Sequence, residues 1–174
     1  MTIQDRLKRV RLMLLDVDGV LTAGEIIYGD SGEQYKVFNV KDGLGIRMLQ
    51  QAGIRVGIVT GRSGKALMHR CRNLDIDLVF DGVKNKAMAL VEARERTGID
   101  PAATAFIGDD LPDLAIMCRV GLAVAVADAH EMVRAAAHLT TQAAGGRGAV
   151  REISEAILKA RDQWTSLVEQ MIHG

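Results

Sequence analysis

Six short, largely apolar runs punctuate the 174-residue chain: VRLMLL at 10–15, IRVGIV at 54–59, DLVF at 77–80, TAFI at 104–107, GLAVAV at 121–126 and, more weakly, HLTT at 138–141. Runs this short and this continuous suit strands covered on both faces. Between them lie stretches with helical spacing: 43–52, stopping at Gly53; 64–74; 85–97, stopping at Gly98; 111–119; 129–136; and 150–172. Strand and helix alternate down the chain. That order predicts an α/β, Rossmann-like three-layer sandwich with a mainly parallel sheet and helices on both faces. The length suits one domain over 1–174.

One segment breaks the rhythm. GEIIYGDSGEQYKVFNV, within a flap of about 23–41, carries two β-rich runs, EIIY and QYKVFNV, around Gly-Asp-Ser-Gly. Its turn chemistry predicts a β-hairpin inserted after the first strand, at the sheet edge where sites form. The Gly-rich stretch AAGGRG opens a C-terminal tail of about 143–174.

Composition narrows the function. Apolar residues make up 48%, and 22 Lys plus Arg balance 22 Asp plus Glu. This gives no support to a nucleic-acid or membrane-surface partner. No run approaches the ~18 apolar residues of a membrane span, and no export signal is read at the N-terminus. Cys71 and Cys118 form no metal or redox motif and read as reduced thiols of a cytoplasmic protein.

The first apolar run drives straight into two acids, LLDVDGV, placing Asp16 and Asp18 at a strand end. Strand ends of an open α/β sheet line the ligand crevice. Thr60 ends the second run; Asp109 and Asp110 end the fourth, with Asp113 a turn later; Lys86 starts a helix. In a parallel sheet these groups converge. Clustered carboxylates do not all stay ionised without a cation, and Mg2+ resolves the repulsion. A phosphate sharing the site needs a lysine and a hydroxyl around its oxygens. One carboxylate can attack phosphorus, and a second, two residues on, can protonate the leaving alkoxide and later deprotonate water.

DVDGV at 16–20, TGR at 60–62, Lys86 and GDDLPD at 108–113 resemble, in order, the four motifs of haloacid-dehalogenase-type phosphatases. The resemblance implies Asp16 as nucleophile and Asp18 as general acid/base, with Thr60 and Lys86 on the phosphoryl group. It implies Mg2+ on Asp16, the backbone carbonyl of Asp18 and Asp109, with Asp110 or Asp113 supporting them. Neither gap between these motifs has room for the cap domain that many members carry. FNVKDGLGI at 38–46 and AGGRGAVRE at 144–152 are similar to the capless tetrameric 3-deoxy-D-manno-octulosonate 8-phosphate phosphatases of lipopolysaccharide synthesis. That resemblance implies a homotetramer built through the hairpins, with sites closed by a neighbour and the tail. It implies substrate contacts from Asp18, Asn39, Val40, Lys41, Asp42, Gly43, Arg47, Arg62, Arg70 and Lys86. A tail arginine, Arg147 or Arg151, is expected near the substrate's carboxylate. Removal of the tail before Gly145 is expected to leave the fold and the metal site in place.

Each residue also has a plainer reading. Asp16 and Asp18 could be a turn cluster, Asp109 and Asp110 an N-cap pair, Thr60 a β-branched strand residue and Lys86 a solvated lysine. The three arginines could sit in surface ion pairs. Asn39 to Gly43 could be a helix-initiating turn with Asp42 as cap, and GGRG a loose loop. The histidines read as structural or solvated, and Met13, Met48, Met68, Met88 and Met117 as core. Two functional alternatives stay open: a phosphatase for another sugar-acid phosphate, such as a nine-carbon ulosonate 9-phosphate, and a non-catalytic receiver-type phospho-acceptor module. Asp18 separates the latter, because an acid/base beside the nucleophile favours turnover over a persistent acyl phosphate.

Overall fold

The structure, a computed structural model, describes residues 1–30, 32 and 34–173. Its elements in chain order are α1 (Ile3–Arg9), β1 (Leu12–Leu15), β2 (Ile27–Tyr28), β3 (Gln34–Tyr35), α2 (Val40–Gln51), β4 (Arg55–Val59), α3 (Lys65–Asn73), β5 (Leu78–Phe80) and α4 (Lys86–Thr97). They continue with β6 (Thr104–Gly108), α5 (Leu114–Met117), β7 (Leu122–Ala125), α6 (Glu131–Ala136), β8 (Leu139–Thr140), α7 (Ala149–Ala160) and α8 (Trp164–His173).

Six strands form one parallel sheet in the order β5-β4-β1-β6-β7-β8. All four residues of β1 and all five of β6 are buried. The chain therefore winds outward from β1 in one direction through β4 and β5, then outward from β6 in the other. Right-handed crossovers put the helices of the two halves on opposite faces. Packing agrees: α1, α2, α7 and α8 form one connected group and α4, α5 and α6 another. The reversal lies between β1 and β6, and a ligand crevice opens at such a switch point.

The expected α/β class holds, and the structure corrects several boundaries. α1 was not anticipated, although Thr2 and Asp5 form a full capping box at its start. The helix expected at 43–52 begins three residues earlier because Asn39 caps it, accepting from Lys41 N. QYKVFNV is consequently not one strand: β3 ends at Tyr35. The hairpin pairs Ile27 with Tyr35 and Tyr28 with Gln34; the Gly-Asp-Ser-Gly turn expected between them includes Ser31, which with Glu33 lies outside the described residues. The helix expected at 111–119 is a 3₁₀ turn, Leu111–Asp113, followed by the single turn of α5. The helix expected over 150–172 is two, broken where Asp162 adopts φ 58°. Met68 and Met88 are exposed, whereas Met13, Met48 and Met117 are buried.

The largest correction concerns the tail. Val150, Ile153, Ile157 and Leu158 of α7 are fully buried, and α7 packs along α2. At about 1.5–3 kcal/mol per buried aliphatic side chain, these four supply about 6–12 kcal/mol. That is comparable with the whole net stability of a domain, about 5–15 kcal/mol. The tail is part of the core, and removing it cannot leave the fold intact.

Candidate active site

Asp16 is the first residue after β1, its amide held by Ile107 O of β6 at 3.1 Å. The chain then winds tightly: Val20, Leu21 and Thr22 all donate their amides to the Val17 carbonyl. Asp109 follows β6 and is fixed by its neighbours, its carbonyl accepting from His130 N at 2.8 Å. The two acids thus stand side by side because their strands are adjacent at the switch point. Thr60 follows β4, its amide bonded to Phe80 O of β5. Lys86 is the first residue of α4, which Asn85 caps by accepting from Ala87 N.

The side chains meet in a cavity of about 470 Å3. Its lining includes Asp16, Asp18, Thr60, Arg62, Lys86, Asp109, Asp110 and Asp113. The Lys86 ammonium lies 2.9 Å from Asp16 Oδ1 and 2.5 Å from Asp113 Oδ1. The other oxygen of Asp113 accepts from the amides of Asp109, at 2.9 Å, and Asp110, at 3.3 Å. Both oxygens of Asp113 are therefore engaged in holding Lys86 and the Asp109 loop. Asp110 caps the 3₁₀ turn in a capping box with Asp113, so its plainer reading as a cap holds.

Oxygens of Asp16, Asp109 and Asp113 lie within 4.8 Å of one another. Burial first, then the charge of Asp113, pushes Asp16 up to about 6, with Lys86 opposing. Burial, then the charges of Asp16 and Asp113, pushes Asp109 up to about 8. Lys86 is pulled down by burial, but the charges of Asp16 and Asp113 outweigh this and hold it protonated. Asp109 Oδ1 is buried with no hydrogen-bond partner among the described residues. Crowded, desolvated carboxylates with an orphaned oxygen form a donor set that fits a hard divalent cation.

Two glycines make the crowding feasible. A Cβ on Gly19, at φ 90°, would collide with the Asp109 carboxylate. A Cβ on Gly145 would collide with the Gly19 carbonyl. Far from loose, the GGRG stretch is clamped: Gly146 N donates to Val20 O at 2.8 Å, and Asn39 Nδ2 donates to Gly146 O at 3.2 Å.

The remaining expected contacts lie elsewhere in the chain. Asp42 is buried and caps not its own helix but α7, accepting from Gly148 N and from Arg151 N. Gly43 packs against Arg70, whereas Val40 and Lys41 are exposed. Arg70 donates to Asn39 O at 3.1 Å and stacks over the Phe38 ring. Arg47 pairs with Asp75 and lines a separate groove with Gln50 and Asp77. Arg147 is exposed, and Arg151 pairs with Glu155. None of these lines the acidic cavity. Two lysines were missed: Lys84, which lines it, and Lys36, which pairs with Asp18. A lysine inside the apolar run QYKVF was the available signal for the second.

A Rossmann-like sheet with paired acids, a threonine, a lysine and a further acid cluster at its strand ends defines a haloacid dehalogenase-like hydrolase, and the profile of that family matches residues 76–153. The chain is 46% identical to the 3-deoxy-D-manno-octulosonate 8-phosphate phosphatase of Escherichia coli K12, over 88% of this chain and 82% of that protein. It is 45% identical to the Salmonella typhi phosphatase of the same name, over 91% and 85%. The crystal structure of the Yersinia pestis phosphatase superposes with TM-score 0.92 at 44% identity, covering 94% of this chain and 88% of that one. The Moraxella catarrhalis phosphatase, solved with a magnesium ion, a phosphate ion and a KDO molecule, superposes with TM-score 0.95 at 39% identity, covering 97% of each chain. The chain belongs to the 3-deoxy-D-manno-octulosonate 8-phosphate phosphatase family.

Proposed function

We propose that the protein hydrolyses 3-deoxy-D-manno-octulosonate 8-phosphate to the free sugar acid and phosphate, with Mg2+ and through an aspartyl phosphate, in the cytoplasm. The observation that carries this reading is the buried, cation-seeking carboxylate set beside Lys86 and Thr60. Identity to the curated phosphatases supports the substrate.

Asp16 attacks phosphorus and the bond to the sugar's terminal oxygen breaks. Its electron pair stays on that oxygen, which takes a proton from Asp18. Water then gives its proton to Asp18 and attacks the acyl phosphate, releasing phosphate and restoring Asp16. Lys86 and Thr60 hold phosphoryl oxygens, and Asp113 keeps Lys86 in place. Asp16, Asp109 and the Asp18 carbonyl would hold Mg2+, which when bound neutralises charge on the carboxylates and the phosphoryl group. A receiver-type module has no use for Asp18 at this position.

One chain does not bring Arg47, Arg70, Asn39, Val40 or Lys41 into the cavity, which fits a site completed by a neighbour; Asp42 and Gly43 are buried within the chain and stay structural. Ile27, Tyr28 and Val37 of the hairpin are between 49% and 73% exposed, and Val40 is 81% exposed. This apolar surface supports a homotetramer assembled through the hairpins.

A panel of sugar-acid phosphates and simple sugar phosphates, compared by kcat/KM with and without Mg2+, tests the reading. The eight-carbon 8-phosphate should stand highest. A higher value for a nine-carbon 9-phosphate would replace the substrate, and no turnover of any member would remove the enzyme.

A further inference from the structure

Lys36 lies one residue past β3, and its side chain is only 3% exposed. Its ammonium pairs with Oδ1 of Asp18. The other Asp18 oxygen lies 3.7 Å from Nε of Arg62, whose side chain is half exposed. Asp18 and Arg62 line the active-site cavity and Lys36 is not part of the lining. Its neighbour Val37 is 73% exposed, so burial of Lys36 does not come from burial of the segment. A lysine is seldom buried unless paired, because it gives up a strongly held water shell and much rotamer freedom. Here, among the described residues, both are given up for one carboxylate oxygen on the residue two positions after the proposed nucleophile.

We propose that Lys36 is a positioning residue for the reaction: by occupying Oδ1 of Asp18 from the hairpin, it fixes the carboxyl group with Oδ2 turned to the leaving oxygen. The proposal rests on the phosphatase reading. In the first half-reaction an Asp16 oxygen bonds to phosphorus, the bond from phosphorus to the leaving oxygen breaks, and the electron pair stays on that oxygen. An alkoxide must then take the Asp18 proton, which requires hydrogen-bond reach. A p-nitrophenolate leaves as a stable anion and needs no proton. A misplaced Asp18 therefore slows phosphoryl transfer from an alkyl phosphate and spares transfer from p-nitrophenyl phosphate. A lysine that merely anchors the hairpin affects both alike.

The test is kcat/KM of the full chain for a primary alkyl phosphate that the wild type turns over and for p-nitrophenyl phosphate, with sedimentation of each variant. Lys36→Met should lose roughly 10–100-fold on the alkyl ester and less than about threefold on the aryl ester, as expected for impaired proton donation. Lys36→Arg should recover part of the alkyl loss. In an Asp18→Asn background, Lys36→Met should cause no further alkyl loss, because the lysine acts only through that carboxyl group. Equal losses on both esters, with or without a change in sedimentation, would make Lys36 a hairpin anchor and overturn the proposal. A further loss in the Asp18→Asn background would do the same. Wild-type enzyme inert in Mg2+ toward every alkyl phosphate tried, the sugar-acid phosphates included, and toward p-nitrophenyl phosphate would overturn the phosphatase reading and this proposal together, an outcome distinct from an active wild type with an unselective variant.

Discussion

Gly145 packs against the carbonyl oxygen of Gly19 so closely that no side chain fits between them. The contact joins the glycine-rich stretch before α7 to the loop carrying the two site acids. Gly145→Ala should push that loop off Asp109. Purified variant should show a loss of kcat together with weaker metal activation, while far-UV circular dichroism stays native. Gly19→Ala should be worse, since its φ of 90° alone costs at least about 1 kcal/mol for a side chain and its Cβ meets the Asp109 carboxylate. Unchanged metal activation in both would show that the loop does not depend on this packing.

Asp16→Asn should abolish turnover, because an amide is a poor nucleophile toward phosphorus. Asp18→Asn should cut kcat by roughly 10²–10⁴-fold, the usual contribution of general acid–base catalysis. Its metal activation should stay near wild type, since its proposed ligand is a backbone carbonyl. Steady-state kinetics across a Mg2+ titration separates the two effects. Wild-type rates in either variant would refute the assigned roles.

In metal-free protein the folded-state affinities of Asp16 and Asp109 for protons are raised, to about 6 and about 8, by burial and by their neighbours' charges. From about pH 4 to 8 these two acids therefore hold more protons in the native state than in the unfolded chain, and their contribution to stability falls as pH rises. A divalent cation competes with those protons, so its affinity should increase over the same range. Thermal melts should show Tm of the metal-free protein falling from pH 5 to 8, and the gain from added Mg2+ growing. A Mg2+ shift that shrinks with rising pH would contradict the cluster as the metal site.

The proposed hairpin assembly should be split, and activity lowered with it, by charged substitutions at Ile27 and Val37, because both side chains are exposed on the isolated chain. Sedimentation and kcat/KM measured on the same samples check this. A fully active wild-type monomer would rule out hairpin assembly.

Truncation before Gly145 removes α7 and its buried Val150, Ile153, Ile157 and Leu158. The shortened chain should fail to melt cooperatively, even with Mg2+ present. A cooperative transition would mean that α2 and the sheet find another cover.

The strands and the acidic cluster were legible in the sequence because each follows from a local pattern. A continuous apolar run marks a doubly covered strand, and its last residue marks the sheet edge, so Asp16, Thr60 and Asp109 could be brought together without coordinates. What could not be read depends on contacts between distant segments. Asp42 looked like the cap of its own helix, and only tertiary packing turns it toward Gly148 and Arg151. The break at Asp162 carries neither Gly nor Pro to announce it. Lys36 was overlooked because its partner lies on another loop, although a lone lysine among apolar residues invited the question. The short α1 was overlooked despite a readable Thr-x-x-Asp start.

The position of the site at the meeting of β1 and β6 has a consequence for biosynthesis. As the chain emerges from the ribosome, β1 can pair with β4 early, but its second edge has no partner until β6 has been made. Until then Asp16, the proposed nucleophile, stands beside a bare strand edge, with Asp109 still untranslated. A stalled nascent chain is therefore catalytically silent and exposes an edge that invites pairing with other chains. Prematurely terminated products should be cleared or aggregate, with no partial activity, and the first competent enzyme appears only after the second half of the sheet has closed onto the first and α7 has covered α2.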